Sequence, residues 1–272
     1  MADPELIPVE DRPAVLVVAG LDPSGGAGIL TDAAVIRAFD LHPVTVLTAV
    51  AVQNTSRLGR RLDVPAPVLQ EQLALLGEEF LLGAVKTGML ATTAAVETLA
   101  AWLAERPRLP LVLDPVLRST SGGSLGEAGL LDAIKRVLLP RTRVATPNLE
   151  EAAALTGTAV ADRDQVPDQA RAIRELGPEW VLVKGGHLAR GRASDYLAGP
   201  DVAVWLEEER SERTVRGTGC ALASAVAAGL ARGESVPDAA RAAKSLVARG
   251  IEASYVAGQG RYLNLERRSR KE

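Results

Sequence analysis

Five short stretches of the chain carry residues whose type and spacing suit phosphate chemistry. Gly217-Thr218-Gly219-Cys220 stands at the head of an alanine-rich helical pattern, so successive backbone N–H groups and the positive end of a helix dipole face one point. Such an anion hole stabilises charge on a migrating phosphoryl group. Cys220, the single cysteine, falls in the first helical turn, where the same field predicts a lowered thiol pKa and a thiolate accessible near neutral pH. A small buried hydrophobe is the other role open to a lone cysteine.

The remaining four stretches are richer in carboxylates and glycines. Asp114 closes an apolar run before Pro115, and Asn148 is followed three residues later by Glu151. Taken alone, Asn-Leu-Glu-Glu is a helix start of the capping-box kind, worth about 1 kcal/mol. Taken together, Asp114 and Glu151 supply the one or two carboxylates that Mg2+ uses, through water, beside substrate phosphates. Lys184 precedes Gly185-Gly186 and is either a solvated strand end or a point charge for phosphate. Residues 20–32, GLDPSGGAGILTD, contain four glycines that let backbone approach a ligand, with Asp22 and Asp32 as polar groups. No Gly-Lys-Ser/Thr follows, as a Walker A loop requires, and the glycine spacing is not that of a dinucleotide fingerprint. A tight strand-to-helix turn is the plain alternative.

Elements must bring these residues to one place. β-Branched runs predict strands at 14–20, 44–52, 83–89, 110–116, 143–148 and 180–186, with helices over 67–81, 92–105, 125–138, 149–156 and 165–176 between them. That rhythm is α/β, a mostly parallel doubly wound sheet whose strands lack strict alternation because both faces are covered. Ligands then bind beyond the carboxyl ends of the strands, where the residues above lie. The polar segment 187–215 predicts an antiparallel hairpin at the sheet edge.

Composition excludes several classes. Thirty-one Lys+Arg interspersed among 34 Asp+Glu form no basic block, so nucleic acid is not an expected partner. No apolar run approaches the ~20 residues of a membrane span, and the acidic, proline-containing start lacks the order of a signal peptide, which points to a soluble cytoplasmic protein. Two histidines, His42 and His187, with one cysteine argue against structural zinc. No linker divides the chain; we expect an extension at 1–13, one domain over 14–265 and a solvated charged tail at 266–272.

AGLDPSGGAGILTD (19–32), AVQNT (51–55), KTGML (86–90), VLDPV (112–116), TPNLEEA (146–152), VKGGH (183–187) and RGTGC (216–220) occur in an order and spacing that resemble the hydroxymethylpyrimidine/phosphomethylpyrimidine kinases of thiamine synthesis. These belong to the ribokinase-like superfamily, so the resemblance, which covers about 14–260, implies a three-layer α/β/α sandwich. It also implies ATP-dependent phosphorylation of 4-amino-5-hydroxymethyl-2-methylpyrimidine and then of its monophosphate, with Mg2+, in what is commonly a homodimer. By the same resemblance Gly20, Asp32, Gln53 and Met89 hold the pyrimidine. A carboxamide such as Gln53 both donates to a ring nitrogen and accepts from an exocyclic amine, and Met89 offers the ring a polarisable apolar face. Asp114, Asn148 and Glu151 would organise Mg-ATP and Lys184 would meet its phosphates. Gly217, Thr218, Gly219 and Cys220 would form the anion hole and the base.

Two departures from the pattern stand out. The loop after Asp-Pro-Val reads LRSTSGGSL, with Thr120 where the resemblance leads one to expect a lysine and Gly123 in place of an aspartate; Arg118 is the expected substitute. Arg216 replaces the usual histidine before Gly-Thr-Gly and adds positive charge at the ATP site. A pyridoxal kinase is the nearest rival, although relatives that use a second, lid cysteine find no counterpart here. A non-catalytic pyrimidine sensor is the rival from another class, and it would have no need of the phosphoryl-transfer set.

Overall fold

The computed structural model describes residues 12–117, 126–160, 162–186 and 192–265. β1 (Ala14–Leu21) is an inner strand of the sheet, and its alternate residues feed two different cores. Ala14, Leu16 and Val18 pack on one face of the sheet, and Val15, Val17 and Ala19 on the other. An unbroken apolar run is what a strand needs when helices cover both its faces.

Around β1 run β2 (His42–Gln53), β3 (Leu58–Asp63), β4 (Leu82–Thr87), β5 (Leu111–Leu113), β6 (Val144–Ala145), β7 (Trp180–Gly185), β8 (Arg192–Ala198) and β9 (Ala203–Glu209). They form a nine-stranded sheet in the order β3-β2-β1-β4-β5-β6-β7-β8-β9 among the described residues. β2, β1, β4, β5, β6 and β7 are parallel, while β3 at one edge and the β8–β9 hairpin at the other are antiparallel. The expected edge hairpin is thus present, except for residues 187–191, which fall outside the described residues. The chain leaves β1 toward β2 on one side and returns to β4 on the other. Loops at such a reversal diverge and open a crevice.

One face carries α2 (Ala66–Glu79), α3 (Thr93–Ala104), α4 (Leu130–Ala133, continued by a π-turn to Leu138), α5 (Leu149–Thr156) and α6 (Val166–Arg174). The opposite face carries α1 (Gly28–Ala38), α7 (Thr218–Ala231) and α8 (Val236–Glu252), giving the three-layer α/β/α arrangement. α7 is buried over Ala221–Gly229, all small or aliphatic residues, so it lies close beneath the sheet with α8 outside it. α8 escaped the sequence-based expectations although Ser235 caps it and Pro237 opens it. The short hairpin of β10 (Tyr255–Ala257) and β11 (Gly260–Tyr262) also went unpredicted.

A buried ion pair ties α8 to the sheet beside the strand ends. Lys244 Nζ lies 2.6 Å from Asp195 Oδ2, and Asp195 Oδ1 accepts from the Gly185 N–H at 3.0 Å. Removing one member leaves an uncompensated buried charge. Lys244→Met should therefore destabilise the fold by about 3 kcal/mol, seen as a lower denaturant midpoint, and an unchanged midpoint would show that the pair contributes little.

Candidate active site

The residues singled out from the sequence gather at the carboxyl ends of β1, β2, β4, β5 and β7 and at the head of α7. Gly217 is the N-cap of α7 at φ 72, the left-handed region that glycine tolerates, and a β-carbon there would strike the carbonyl of Gly26. This contact sets the head of α7 directly against the loop after β1. The thiol of Cys220 receives the backbone N–H of Gly28, the first residue of α1. Two helix N-termini therefore converge on the sulfur.

That convergence does not make a thiolate. Burial pushes the Cys220 thiol up to about 12, and Asp114 and Asp32 reinforce the rise, against the lowering by Lys86 and by the Gly28 N–H. The expected low thiol pKa is thereby corrected, because loss of solvent outweighs the helix field.

Lys184 Nζ lies 2.7 Å from Asp114 Oδ1 and 3.7 Å from Glu151 Oε2. Burial opposes its charge, but the two carboxylates more than offset that and raise its pKa. Glu151 is raised to about 7 by burial and by Asp114, although Lys184 pulls it down. Asn148 and Glu151 form the complete capping box of α5: Asn148 Oδ1 accepts from the Glu151 N–H at 2.8 Å, and Glu151 Oε2 from the Asn148 N–H at 2.7 Å. The structural role foreseen for Asn-Leu-Glu-Glu is present, and it also aims Glu151 at Lys184.

On the substrate side, the Met89 thioether lies across Gly20, where it would clash with any β-carbon. Met89 packs with Ala49, Ala91, Leu58 and Val116, and Gln53, half-buried at the end of β2, pairs with Leu58. Asp32 is placed differently from the expectation. It has no exposed surface, and both its oxygens lie 2.8 Å from Lys86 Nζ, with Ser224 Oγ donating to Oδ1 at 2.8 Å. Its carboxylate is engaged below the crevice floor. Arg216 bonds toward Thr55 and Asp22, away from the Lys184 cluster. The loop substitutions at Thr120 and Gly123, with Arg118, lie outside the described residues, as does His187.

Sequence reasoning missed Lys86 and Ser224. Lys86 is fully buried one residue before the end of β4, where burial opposes its charge and Asp32 and Asp114 more than offset it, raising its pKa. A lysine inside an apolar strand was the available signal. Thr146, whose hydroxyl donates to Asp114 Oδ1 at 3.3 Å, gave none.

The oxygens of Asp114 and Glu151 suit Mg2+, since one ammonium already bridges them and hard cations take carboxylate oxygen. Among the described residues no group of three or more His, Cys, Asp or Glu converges, so protein ligands alone would not enclose the ion. Phosphate oxygens would have to complete its shell.

Comparisons with known proteins agree with this layout. The family profile described as phosphomethylpyrimidine kinase matches residues 22–264. A hydroxymethylpyrimidine/phosphomethylpyrimidine kinase of Streptomyces coelicolor is 44% identical over 249 residues, 91% of this chain and 92% of the relative. A phosphomethylpyrimidine kinase structure from Clostridium difficile superposes with a TM-score of 0.77 at 30% identity, covering 87% of this chain and 98% of that one. A Bacillus subtilis pyridoxal kinase in complex with ADP superposes with a TM-score of 0.85, also at 30% identity, covering 93% and 96%.

The tight packing at the head of α7 can be tested. A β-carbon on Gly219 would stand 3.1 Å from Lys184 Nζ, whereas alanine improves a helix by about 0.5–1 kcal/mol over glycine. Gly219→Ala should keep or raise the melting temperature while turnover falls about tenfold through displacement of the ammonium. Parallel loss of stability and turnover would contradict this.

Proposed function

The chain belongs to the phosphomethylpyrimidine kinase family, and we infer that it transfers the γ-phosphoryl group of ATP to 4-amino-5-hydroxymethyl-2-methylpyrimidine and then to the resulting monophosphate, as in thiamine biosynthesis. The observation that carries this is the junction of two half-sites. Gly20 and Met89 meet beside Leu58, the partner of Gln53 in the β2–β3 ladder, where we place a slot for the ring, while Lys184, with Asp114 and Glu151, stands against Gly219 at the α7 head. In this reading the pyrimidine lies in the slot with its hydroxymethyl group facing the anion hole, and Gln53 reads the ring edge. Asp32 acts beneath the ring through Lys86 and Ser224.

During the first transfer the substrate oxygen bonds to the γ-phosphorus as the bridging bond to ADP breaks, and the hydroxyl proton passes to an oxygen of the transferred phosphoryl group; in the second, the attacking phosphate oxygen has no proton to lose. The amides of Thr218, Gly219 and Cys220 and the ammonium of Lys184 stabilise the equatorial oxygens. Asp114 and Glu151 would hold Mg2+, which when bound neutralises phosphate charge; Asn148 orients Glu151. In a loose transition state the proton leaves late, so a strong base is not needed at the outset. A protonated Cys220 is compatible with that and serves as a packed, hydrogen-bonded wall of the hole.

The second reading is a pyridoxal kinase, favoured by the close superposition on the Bacillus subtilis enzyme. Among the described residues no helix is long and apolar enough to cross a membrane. A homodimer, a cytoplasmic location and a single catalytic domain over 14–265 remain proposals drawn from the resemblance and the composition.

The deciding experiment is a time course with Mg-ATP and the hydroxymethylpyrimidine, resolving monophosphate and diphosphate, with pyridoxal in a parallel reaction. Diphosphate is the expected end product; turnover of pyridoxal alone would transfer the chain to the rival. In the same assay Cys220→Ala should slow the first transfer only about tenfold, with an unaltered rate profile between about pH 6 and 9, below the 10²–10⁴ of a general base. A larger loss that tracks a thiol ionisation would restore the thiolate.

A further inference from the structure

Arg216 directly precedes the head of α7, but its side chain engages the turn after β2 and the loop after β1. Its Nη1 donates to the carbonyl of Thr55 at 3.0 Å, and Nη2 stands 3.6 Å from Asp22 Oδ2. Its backbone N–H donates to the carbonyl of Arg261, in β11, at 3.2 Å. Thr55 lies two residues beyond Gln53, and Asp22 begins the loop that joins β1 to α1. Asp22 also shapes that loop from within, since its Oδ1 accepts from the N–H and the hydroxyl of Ser24 at 2.9 and 2.7 Å.

The side chain lies across the glycines of the same loop. A β-carbon on Gly26 would stand 3.1 Å from Arg216 Nε. The guanidinium is largely enclosed, with 11% of the side chain exposed and 3% of that of Asp22. Nε of Arg216 and Oδ2 of Asp22 are buried without a hydrogen-bond partner among the described residues. A cavity of about 100 Å³ bordered by Gly25, Gly26, Thr31, Arg216, Tyr262 and Leu263 adjoins them. Such orphaned groups cost free energy in isolation, so a residue that keeps them enclosed is held by what it connects.

We propose that Arg216 is a positioning residue for the pyrimidine, a strap that binds the loop at 22–27 and the turn after Gln53 to the head of α7. This rests on the reading of the chain as a pyrimidine kinase and adds to it the residue that joins ring recognition to the anion hole. The strap keeps the ring and the γ-phosphoryl in one frame, where a displacement of about 1 Å costs on the order of a hundredfold in rate. A forked cation suits two partners on different segments; an ammonium reaches one.

Steady-state kinetics of the full chain, with pyrimidine and ATP varied separately, test the strap. Arg216→Ala should raise the pyrimidine KM about tenfold and leave the ATP KM within about twofold, with partial recovery on adding millimolar guanidinium. Arg216→Lys should shift the pyrimidine KM in the same direction by about threefold, and it decides the matter alone if the alanine variant does not fold. A rise confined to the ATP KM, an equal rise in both, or no change in either would overturn the proposal. Wild-type protein that phosphorylates pyridoxal and not the pyrimidine would instead overturn the parent reading, and that result precedes any variant.

Discussion

The fully buried Lys86, held by both oxygens of Asp32, is the interaction on which the electrostatics of the site depend. An ammonium inside an apolar strand is stable only if a carboxylate and further hydrogen bonds replace its water. Ser224 from α7 supplies one such bond to Asp32, so β4, α1 and α7 are joined at a single point below the crevice. Above it lies Cys220, and beyond that the second charged group of Asp114, Lys184 and Glu151. Each buried charge has an opposite neighbour. The α7 amides can therefore receive an incoming anion without first displacing a trapped counter-charge.

The same arrangement favours the neutral thiol. A thiolate would face Asp114 and Asp32 across a region with little water, while the nearby ammonium of Lys86 is already paired. The field of two helix N-termini is real, but the desolvation it must offset is larger. On the proposed function, Cys220 is a partly exposed, hydrogen-bonded boundary of the anion hole, suited to a reaction in which placement and charge stabilisation matter more than proton removal.

Much of the fold was legible because the strands that build the crevice are fully apolar. The parallel strands around β1 announce themselves as β-branched runs, and their carboxyl ends coincide with Asp114, Asn148 and Lys184. β3 was missed for the opposite reason: Leu-Gly-Arg-Arg-Leu-Asp is a polar edge strand, recognisable only through its partner β2. In the site, residue types were legible and partnerships were not. Asp32 and Lys86 are 54 positions apart, and nothing local tells a buried, paired carboxylate from one that awaits a ligand. Arg216 illustrates the same limit, because its charge suggested phosphate while its contacts at Thr55 and Asp22 depend on where two distant segments fold back.

These partnerships also bear on how one architecture serves related kinases. The chain superposes on a pyridoxal kinase as readily as on a phosphomethylpyrimidine kinase, so the backbone frame does not choose between their substrates. In the function proposed above, the α7 head and the Asp114–Lys184–Glu151 group meet phosphate, which both reactions share. On that reading, discrimination comes from the proposed ring site at Gly20, Gln53 and Met89 and from whatever holds it to the reacting centre. Arg216 occupies that second position, linking ring-binding segments to the first residue of the anion hole. Substrate choice can change at such a link without disturbing the charges beneath, because the Lys86–Asp32 pair is anchored by Ser224 and not by the loop the strap restrains.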